Sequence, residues 1–177
     1  MNQVTKASWA EALCNADLVS IETRSGYRSN RADPKGAQHL LSPDASDEVL
    51  GKAMLDSLER SRFVVSAPRE GVWIHPEAEF DNDLYDFKKS AARYEAWKKA
   101  LMDRYGYKTH QALFKGMKSC SAERRSGLIT ITPMHHEQLE AWGRTKGDGI
   151  ENVVLSAESS PAEIGAALRL AFSRCTD

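Results

Sequence analysis

The C-terminal part of the chain has the clearest pattern of apolar and polar positions. Pro161 suits the first position of a helix because its missing N–H has no helical partner there, and Ser160 and Glu163 have the spacing of a capping box. From there, apolar residues recur at intervals of three and four, which places them on one helix face. The pattern predicts a closing helix that buries this face. The face contains Ile164, Ala167, Leu168, Ala171, Phe172 and Cys175.

Two further stretches have the apolar spacing that is typical of helices. The first is predicted to run from Ser46 to about Arg60, with acidic residues in its first turn, where the helix dipole favours negative charge. The second is predicted from Leu84 to Gly106, because glycine readily adopts the left-handed conformation that ends a helix. Thr109 is the predicted cap of a short third helix. The buried face of the second helix is predicted to contain Leu84, Phe87, Ala91, Tyr94, Trp97, Leu101 and Tyr105.

Short β-branched runs predict strands that pair as hairpins. Residues 63–65 and 72–74 are two such runs, bounded by proline and glycine, and we predict that they pair with each other. Residues 119–124 and 128–132 flank Ser126-Gly127, which is typical of a tight turn, and polar and apolar residues alternate across them. The sequence therefore predicts two hairpins.

The remaining segments indicate the fold class. Further strands are predicted near residues 17–23 and 153–155, the first of them preceded by a short amphipathic turn around Trp9. Residues 24–45 are rich in glycine and proline, which predicts an irregular surface loop. Helices interrupt the strands irregularly, without a repeated βα unit. We therefore predict a single α+β domain over residues 1–177, with a mostly antiparallel sheet packed against several helices.

Composition and charge narrow the classes of partner. A chain of 177 residues fits one domain that buries roughly 70% of its unfolded surface. Its 24 basic and 25 acidic residues argue against nucleic acid as a partner, because phosphate binding depends on clustered Lys and Arg. The sequence has no run of eighteen apolar residues and no apolar segment of the kind a secretory signal needs. We expect a cytoplasmic protein that binds neither nucleic acid nor membrane.

Four stretches together resemble a known family. They are DEVLGKAMLDSLERSR (residues 47–62), YGYKTHQALFKGMKSCS (105–121), ITITPMHHE (129–137) and SSPAEIGAALRLAFSRC (159–175). The chain is similar in these stretches to bacterial contact-dependent growth inhibition (CDI) immunity proteins, and the similarity extends over most of the chain from about residue 17 onward. The resemblance implies a small cytosolic protein that binds the toxic C-terminal domain of a cell-surface effector delivered by a neighbouring cell. Many such toxins are nucleases. The implied activity is binding without turnover and without a cofactor.

An acidic segment in the middle of the chain is the candidate contact region for such a toxin. It has five acids within ten residues and no basic residue among them, but it lacks the glycine and terminal glutamate of a calcium-binding EF-hand loop. One interpretation is that the acids solvate a loop and complement the start of the following helix. The other is that they face the cationic surface of a nuclease. The candidate toxin-binding residues are Glu77, Glu79, Phe80, Asp81, Asp83, Tyr85 and Asp86.

The histidines and cysteines define the competing interpretation, a small metal-dependent or Cys/His hydrolase. Adjacent His135 and His136 on an extended segment point to opposite faces, whereas zinc needs three or four converging ligands. Cys120 lies beside probable strand residues and Cys175 lies on an apolar helix face, which favours buried thiols over nucleophiles. We therefore predict no catalytic residue, no metal and no cofactor. A regulatory subunit of another complex remains the third alternative.

Overall fold

A seven-stranded β-sheet forms the centre of the protein, and the computed structural model describes residues 3–177. The strands of this sheet and of two smaller ones are β1 (Ser8–Cys14), β2 (Val19–Gly26), β3 (Asn30–Ala32), β4 (Gln38–Leu41), β5 (Val64–Val65), β6 (Glu79–Phe80), β7 (Lys118–Arg125), β8 (Leu128–Pro133), β9 (His135–Gln138), β10 (Ala141–Gly143) and β11 (Val153–Ser156). The helices are α1 (Asp47–Glu59), α2 (Phe87–Tyr105), α3 (His110–Phe114) and α4 (Pro161–Arg174), and a 3-10 turn covers Asp83–Tyr85.

The sheet is antiparallel throughout. Its order is β11-β8-β7-β1-β2-β3, and β4 also pairs with β2, along the first half of that strand. Two small sheets accompany it: β9 pairs with β10, and β5 pairs with β6 in parallel. Four helices and a mostly antiparallel sheet confirm the predicted α+β class.

One face of the sheet is covered by α1 and α4. Alternate residues of β1, such as Ala10 and Ala12, point into this layer and pack with the apolar faces of both helices. The two helices approach each other at glycines. A Cβ at Gly165 would lie 1.8 Å from the Asp47 carbonyl oxygen, and one at Gly51 would lie 1.7 Å from the Pro161 carbonyl oxygen. Glycine is therefore required at this crossing.

The opposite face of the sheet is only partly covered by α2 and α3. Leu101, Leu113 and Phe114 pack against Leu13 and Leu18 and form a second, smaller core. The first turns of α2 make no comparable core. The predicted buried face is wrong in the first turns of the helix, where Phe87, Ala91 and Tyr94 are exposed. Leu84 is buried but precedes the helix, whereas Leu101 is buried as predicted and Trp97 and Tyr105 pack against the second core.

The local signals for helix ends and for one hairpin are confirmed. Ser160 and Glu163 form the predicted capping box at the start of α4, and Ser46 accepts a hydrogen bond from the Val49 N–H at the start of α1. Gly106 ends α2 with a φ of 75°. The β7–β8 hairpin turns through Ser126 and Gly127 as predicted, both with positive φ.

Three predicted elements are wrong. Residues 63–65 and 72–74 do not pair, because β5 instead pairs in parallel with β6, fifteen positions along the chain. The region around Trp9 is the full strand β1 rather than an amphipathic turn. Residues 24–45 are not wholly irregular, since β2 continues through Gly26 and both β3 and β4 pair with it.

Candidate functional site

Asp81 is held by interactions within the protein. Its carboxylate accepts hydrogen bonds from Arg62 at 2.9 Å and Lys35 at 3.1 Å, and also from the backbone N–H of Asp83 at 3.0 Å. Burial raises the pKa of Asp81, but the hydrogen bonds from Arg62 and Lys35 outweigh this and hold the pKa at about 2. Asp81 therefore fixes the acidic segment onto the body of the protein.

Two other candidates also have structural roles. Asp86 caps α2 by accepting a hydrogen bond from the Lys89 N–H at 3.0 Å, as expected for an acid at a helix N-terminus. The Tyr85 hydroxyl donates to the Val64 carbonyl, and the Arg31 guanidinium lies 3.9 Å from the centre of the Tyr85 ring. These contacts orient the segment and leave the other candidates to face outward.

Four of the seven candidate residues are exposed. The side chain of Glu77 is 59% exposed and pairs with Lys6, and that of Asp83 is 69% exposed and pairs with Lys89. Glu79 and Phe80 form the exposed strand β6, in which Phe80 leaves 51% of its surface in contact with solvent. Exposed ion pairs of this kind contribute little to stability, so their charges are available to a partner.

The same part of the chain exposes further large apolar side chains that the sequence did not point to. Val72, Trp73 and Phe87 are 56%, 58% and 85% exposed. The β-branched run at residues 72–74 predicts a strand, but these residues form no strand and Val72 and Trp73 are exposed, because such a run does not by itself distinguish a strand from a loop. Large exposed aromatic side chains are the residues that interfaces favour. We call residues 72–87 the acidic–aromatic segment. Its exposed side chains include the four exposed candidate residues together with Val72, Trp73 and Phe87.

A cleft of about 470 Å³ lies between α2 and the uncovered part of the sheet. Glu11 and Glu22 are directly opposite each other on β1 and β2, and both line the cleft. Arg24 lies beside them and donates to Glu11 at 2.9 Å. The Nε atom of Arg31 is buried and has no hydrogen-bond partner among residues 3–177. Further lining residues include Arg93, Tyr94 and Trp97.

The cleft opens beside the acidic–aromatic segment. Arg31 lines the cleft and also covers the Tyr85 ring. Pro34, which lines the cleft, is followed by Lys35, the partner of Asp81. The two features therefore belong to one continuous region of the surface, with carboxylates and aromatic rings on one side and a cleft with a mostly apolar lining on the other.

Glu22 is the electrostatically strained residue of the cleft. Burial and, to a smaller extent, the nearby Glu11 raise its pKa to about 7, although Arg24 offsets part of their effect. Because the folded protein binds this proton more tightly than the unfolded chain, stability is expected to fall as the pH rises from about 4.5 to about 7.

We expect Glu22→Gln to stabilise the protein by about 1–3 kcal/mol at pH 8 and to have only a small effect at pH 4.5, because the carboxyl group is then protonated in the folded state and about half protonated in the unfolded chain. Urea unfolding at the two pH values measures the difference. Glu158→Gln, on an exposed turn, is the control and should change little at either pH. Equal effects of Glu22→Gln at both pH values would contradict this assignment.

The histidines on which the alternative hydrolase interpretation depends do not converge. His135 contacts the Thr176 hydroxyl at 2.7 Å, whereas His136 stacks on Trp142 with 4.9 Å between ring centres. His39 pairs with Asp56 at 2.8 Å. Within residues 3–177, no group of three or more His, Cys, Asp or Glu side chains has the arrangement of a metal site.

Comparison with known proteins identifies the family. The model of the CDI immunity protein family matches residues 8–175. The chain belongs to this family. This CDI immunity protein is 55% identical over 175 residues to the immunity protein CdiI-YPIII of Yersinia pseudotuberculosis serotype O:3 (strain YPIII), with 99% of each chain covered. The resemblance seen in the sequence is confirmed.

Solved structures share the fold of this CDI immunity protein. A chain of the CdiA-CT/CdiI toxin and immunity complex from Yersinia pseudotuberculosis matches with a TM-score of 0.94 and 54% identity, covering 98% of this chain and 100% of that one. A protein of unknown function from Neisseria meningitidis, NMB0488, matches with a TM-score of 0.79 and 36% identity over 99% of each chain. None of the helices within residues 3–177 has the length and apolar character needed to span a membrane.

Proposed function

We propose that this CDI immunity protein binds and neutralises the toxic C-terminal domain of a cognate CDI effector. The observation that carries this proposal is the match over nearly the full length to a chain of a toxin and immunity complex, at 54% identity. The chain acts in the cytoplasm as one domain over residues 1–177.

The toxin-binding surface is the acidic–aromatic segment together with the mouth of the adjacent cleft. Glu79, Phe80 and Asp83 provide exposed charge and apolar area, and Trp73 provides a second large ring. The unpartnered Nε of Arg31 offers a hydrogen-bond donor inside the cleft. Buried donors without partners are costly, so an acceptor from the toxin is favoured there. Asp81, Tyr85 and Asp86 hold this surface in place.

The toxin is a nuclease in this proposal. Enzymes that act on RNA or DNA present cationic clefts, and carboxylates placed where phosphates would lie give both fast encounter and occlusion of the site. A protein with a net charge of −1 can present such a negatively charged surface only where its acidic residues cluster locally. The acids at positions 77–86 are such a cluster.

Neutralisation proceeds by binding alone, without catalysis by this chain and without a cofactor or metal. The groups that a hydrolase would use have other partners: His136 stacks on Trp142, and Cys120 is fully buried in the main core. A stoichiometric inhibitor requires only a shaped and charged surface, which the acidic–aromatic segment and the cleft provide.

Co-expression tests the proposal. The effector toxin domain encoded next to this gene should arrest growth when produced alone, and growth should resume when the full immunity chain is produced with it. The two proteins should also co-purify. A toxin domain of an unrelated CDI effector is the control and should remain lethal. Continued killing by the cognate toxin, despite soluble expression of this chain, would refute the proposal.

A further inference from the structure

Two thiols face each other between the main sheet and the end of the last helix. The sulfur of Cys120, on β7, lies 3.6 Å from the sulfur of Cys175, the residue that caps the C-terminus of α4. Cys120 is fully buried, whereas Cys175 is partly exposed. The sulfurs need to approach by roughly 1.5 Å to reach the S–S bond length of about 2.05 Å.

The surroundings make Cys175 the more reactive thiol of the pair. As a neutral group it donates to the Ser119 carbonyl at 3.3 Å. The hydrogen bond from Cys120 lowers the pKa of Cys175 to about 7 against the effect of burial, and the positive charge of Lys118 acts in the same direction. Burial raises the pKa of the third cysteine, Cys14, to about 11, which keeps that residue a thiol.

We propose that Cys120 and Cys175 form an oxidation site that closes a reversible intramolecular disulfide on exposure to a peroxide. The Cys175 thiolate attacks a peroxide oxygen, which breaks the O–O bond, leaves a sulfenic acid and releases hydroxide. The Cys120 sulfur then attacks the sulfenic sulfur and displaces its hydroxyl group as water, losing its proton in the process. Both sulfurs are oxidised by one electron each, and one peroxide is reduced to two waters.

The disulfide fastens the C-terminal end of the chain to the sheet. The residue after Cys175, Thr176, already makes two backbone hydrogen bonds to this part of the protein. The Thr176 N–H donates to the carbonyl of Met134, which precedes β9, and the Thr176 carbonyl accepts from the N–H of His136 in β9. A cross-link between positions 120 and 175 also restricts the unfolded chain, which stabilises the fold. The cysteines lie in the layer of α1 and α4, on the opposite face of the sheet from the cleft. Oxidation is therefore expected to raise Tm and to leave toxin binding unchanged.

The experiment uses the reduced full-length protein treated with hydrogen peroxide, followed by alkylation and mass spectrometry. On oxidation the mass of the unlabelled wild type should fall by about 2 Da, because two thiol hydrogens are lost. After alkylation two fewer thiols should carry the label, and peptide mapping should find Cys120 linked to Cys175. Dithiothreitol should restore all three thiols. Tm should rise by about 5–10 °C on oxidation.

Cys14→Ser is the matched control and should behave like the wild type, whereas Cys175→Ser should form no disulfide and show no rise in Tm. The wild-type peptide map decides the question even if a variant folds poorly. Three thiols that stay alkylatable after peroxide treatment, a linkage that involves Cys14, or oxidation that stops at a sulfinic acid on Cys175 would each overturn the proposal.

Discussion

Arg62→Ala is expected to lower the free energy of unfolding by about 3–5 kcal/mol, because it leaves a buried carboxylate without its counter-charge. The Asp33 side chain is fully buried and accepts from Arg62 Nε at 2.7 Å and from Nη2 at 3.0 Å. The Ser25 hydroxyl also donates to it, at 2.7 Å. Arg62 reaches Asp81 as well, at 2.9 Å, so the same substitution loosens the acidic–aromatic segment. Denaturant unfolding of the purified variant measures the loss.

Two variants separate the buried charge from general damage. Arg60→Ala removes a neighbouring arginine whose side chain is 58% exposed and, among residues 3–177, pairs only with Asp56, and it should cost far less stability than Arg62→Ala. The double variant Asp33→Ala/Arg62→Ala removes both buried charges and should be more stable than Arg62→Ala alone. A double variant that is less stable than the single one would contradict the ion-pair explanation.

The pH dependence provides an independent check of the same ion pair. Burial raises the pKa of Asp33, but hydrogen bonds from Arg62 and Ser25 outweigh this and leave it below its usual value. The contribution of Asp33 to stability is thus present above pH 4 and is lost as the pH falls through the lower pKa of the folded state. In Arg62→Ala, Asp33 no longer accepts the hydrogen bonds from Arg62, which are the main cause of its lowered pKa. The deficit of this variant relative to the wild type should therefore be smaller at pH 4 than at pH 7.

The helix ends were predictable because their causes are local. Capping by Ser160 and Glu163 involves residues three positions apart, and the left-handed Gly106 ends α2 without help from the rest of the fold. The pairing of Val64-Val65 with Glu79-Phe80 was not predictable in the same way. It joins segments fifteen positions apart, beside the ion pairs in which Arg62 bridges Asp33 and Asp81. No spacing rule reveals such a contact.

The candidate site was predictable only as a segment. Clustered acids at positions 77–86 are visible in the sequence, but their exposure is not. Asp81 looks the same in the sequence as Asp83, yet one is held by Arg62 and the other is exposed. The cleft could not be predicted from the sequence. It results from the strand register that places Glu11 opposite Glu22 and from the space that separates α2 from the sheet. Apolar spacing along α2 gave no sign of that distance.

Glu79→Lys/Asp83→Lys is expected to slow association with the cognate toxin by about tenfold or more at low salt, and by much less at 0.5 M salt, because salt screens exposed charges. Both side chains are exposed and neither belongs to the buried ion pair. Asp81 is left unchanged, since its replacement would disturb Arg62 and the fold. Stopped-flow or surface-based kinetics at several salt concentrations measure the association rate.

Glu151→Lys/Glu158→Lys is the matched control, because it changes the net charge equally at two exposed positions near β11, outside the proposed surface. It should leave the association rate within about twofold of the wild type. A further variant, Phe80→Ala, tests the dissociation rate separately from the association rate. Its ring is uncharged and half exposed, so its loss should raise the dissociation rate and leave the association rate nearly unchanged. Equal slowing by both charge-reversed pairs would mean that the toxin responds to overall charge, and the acidic–aromatic segment would then lose its place in the interface.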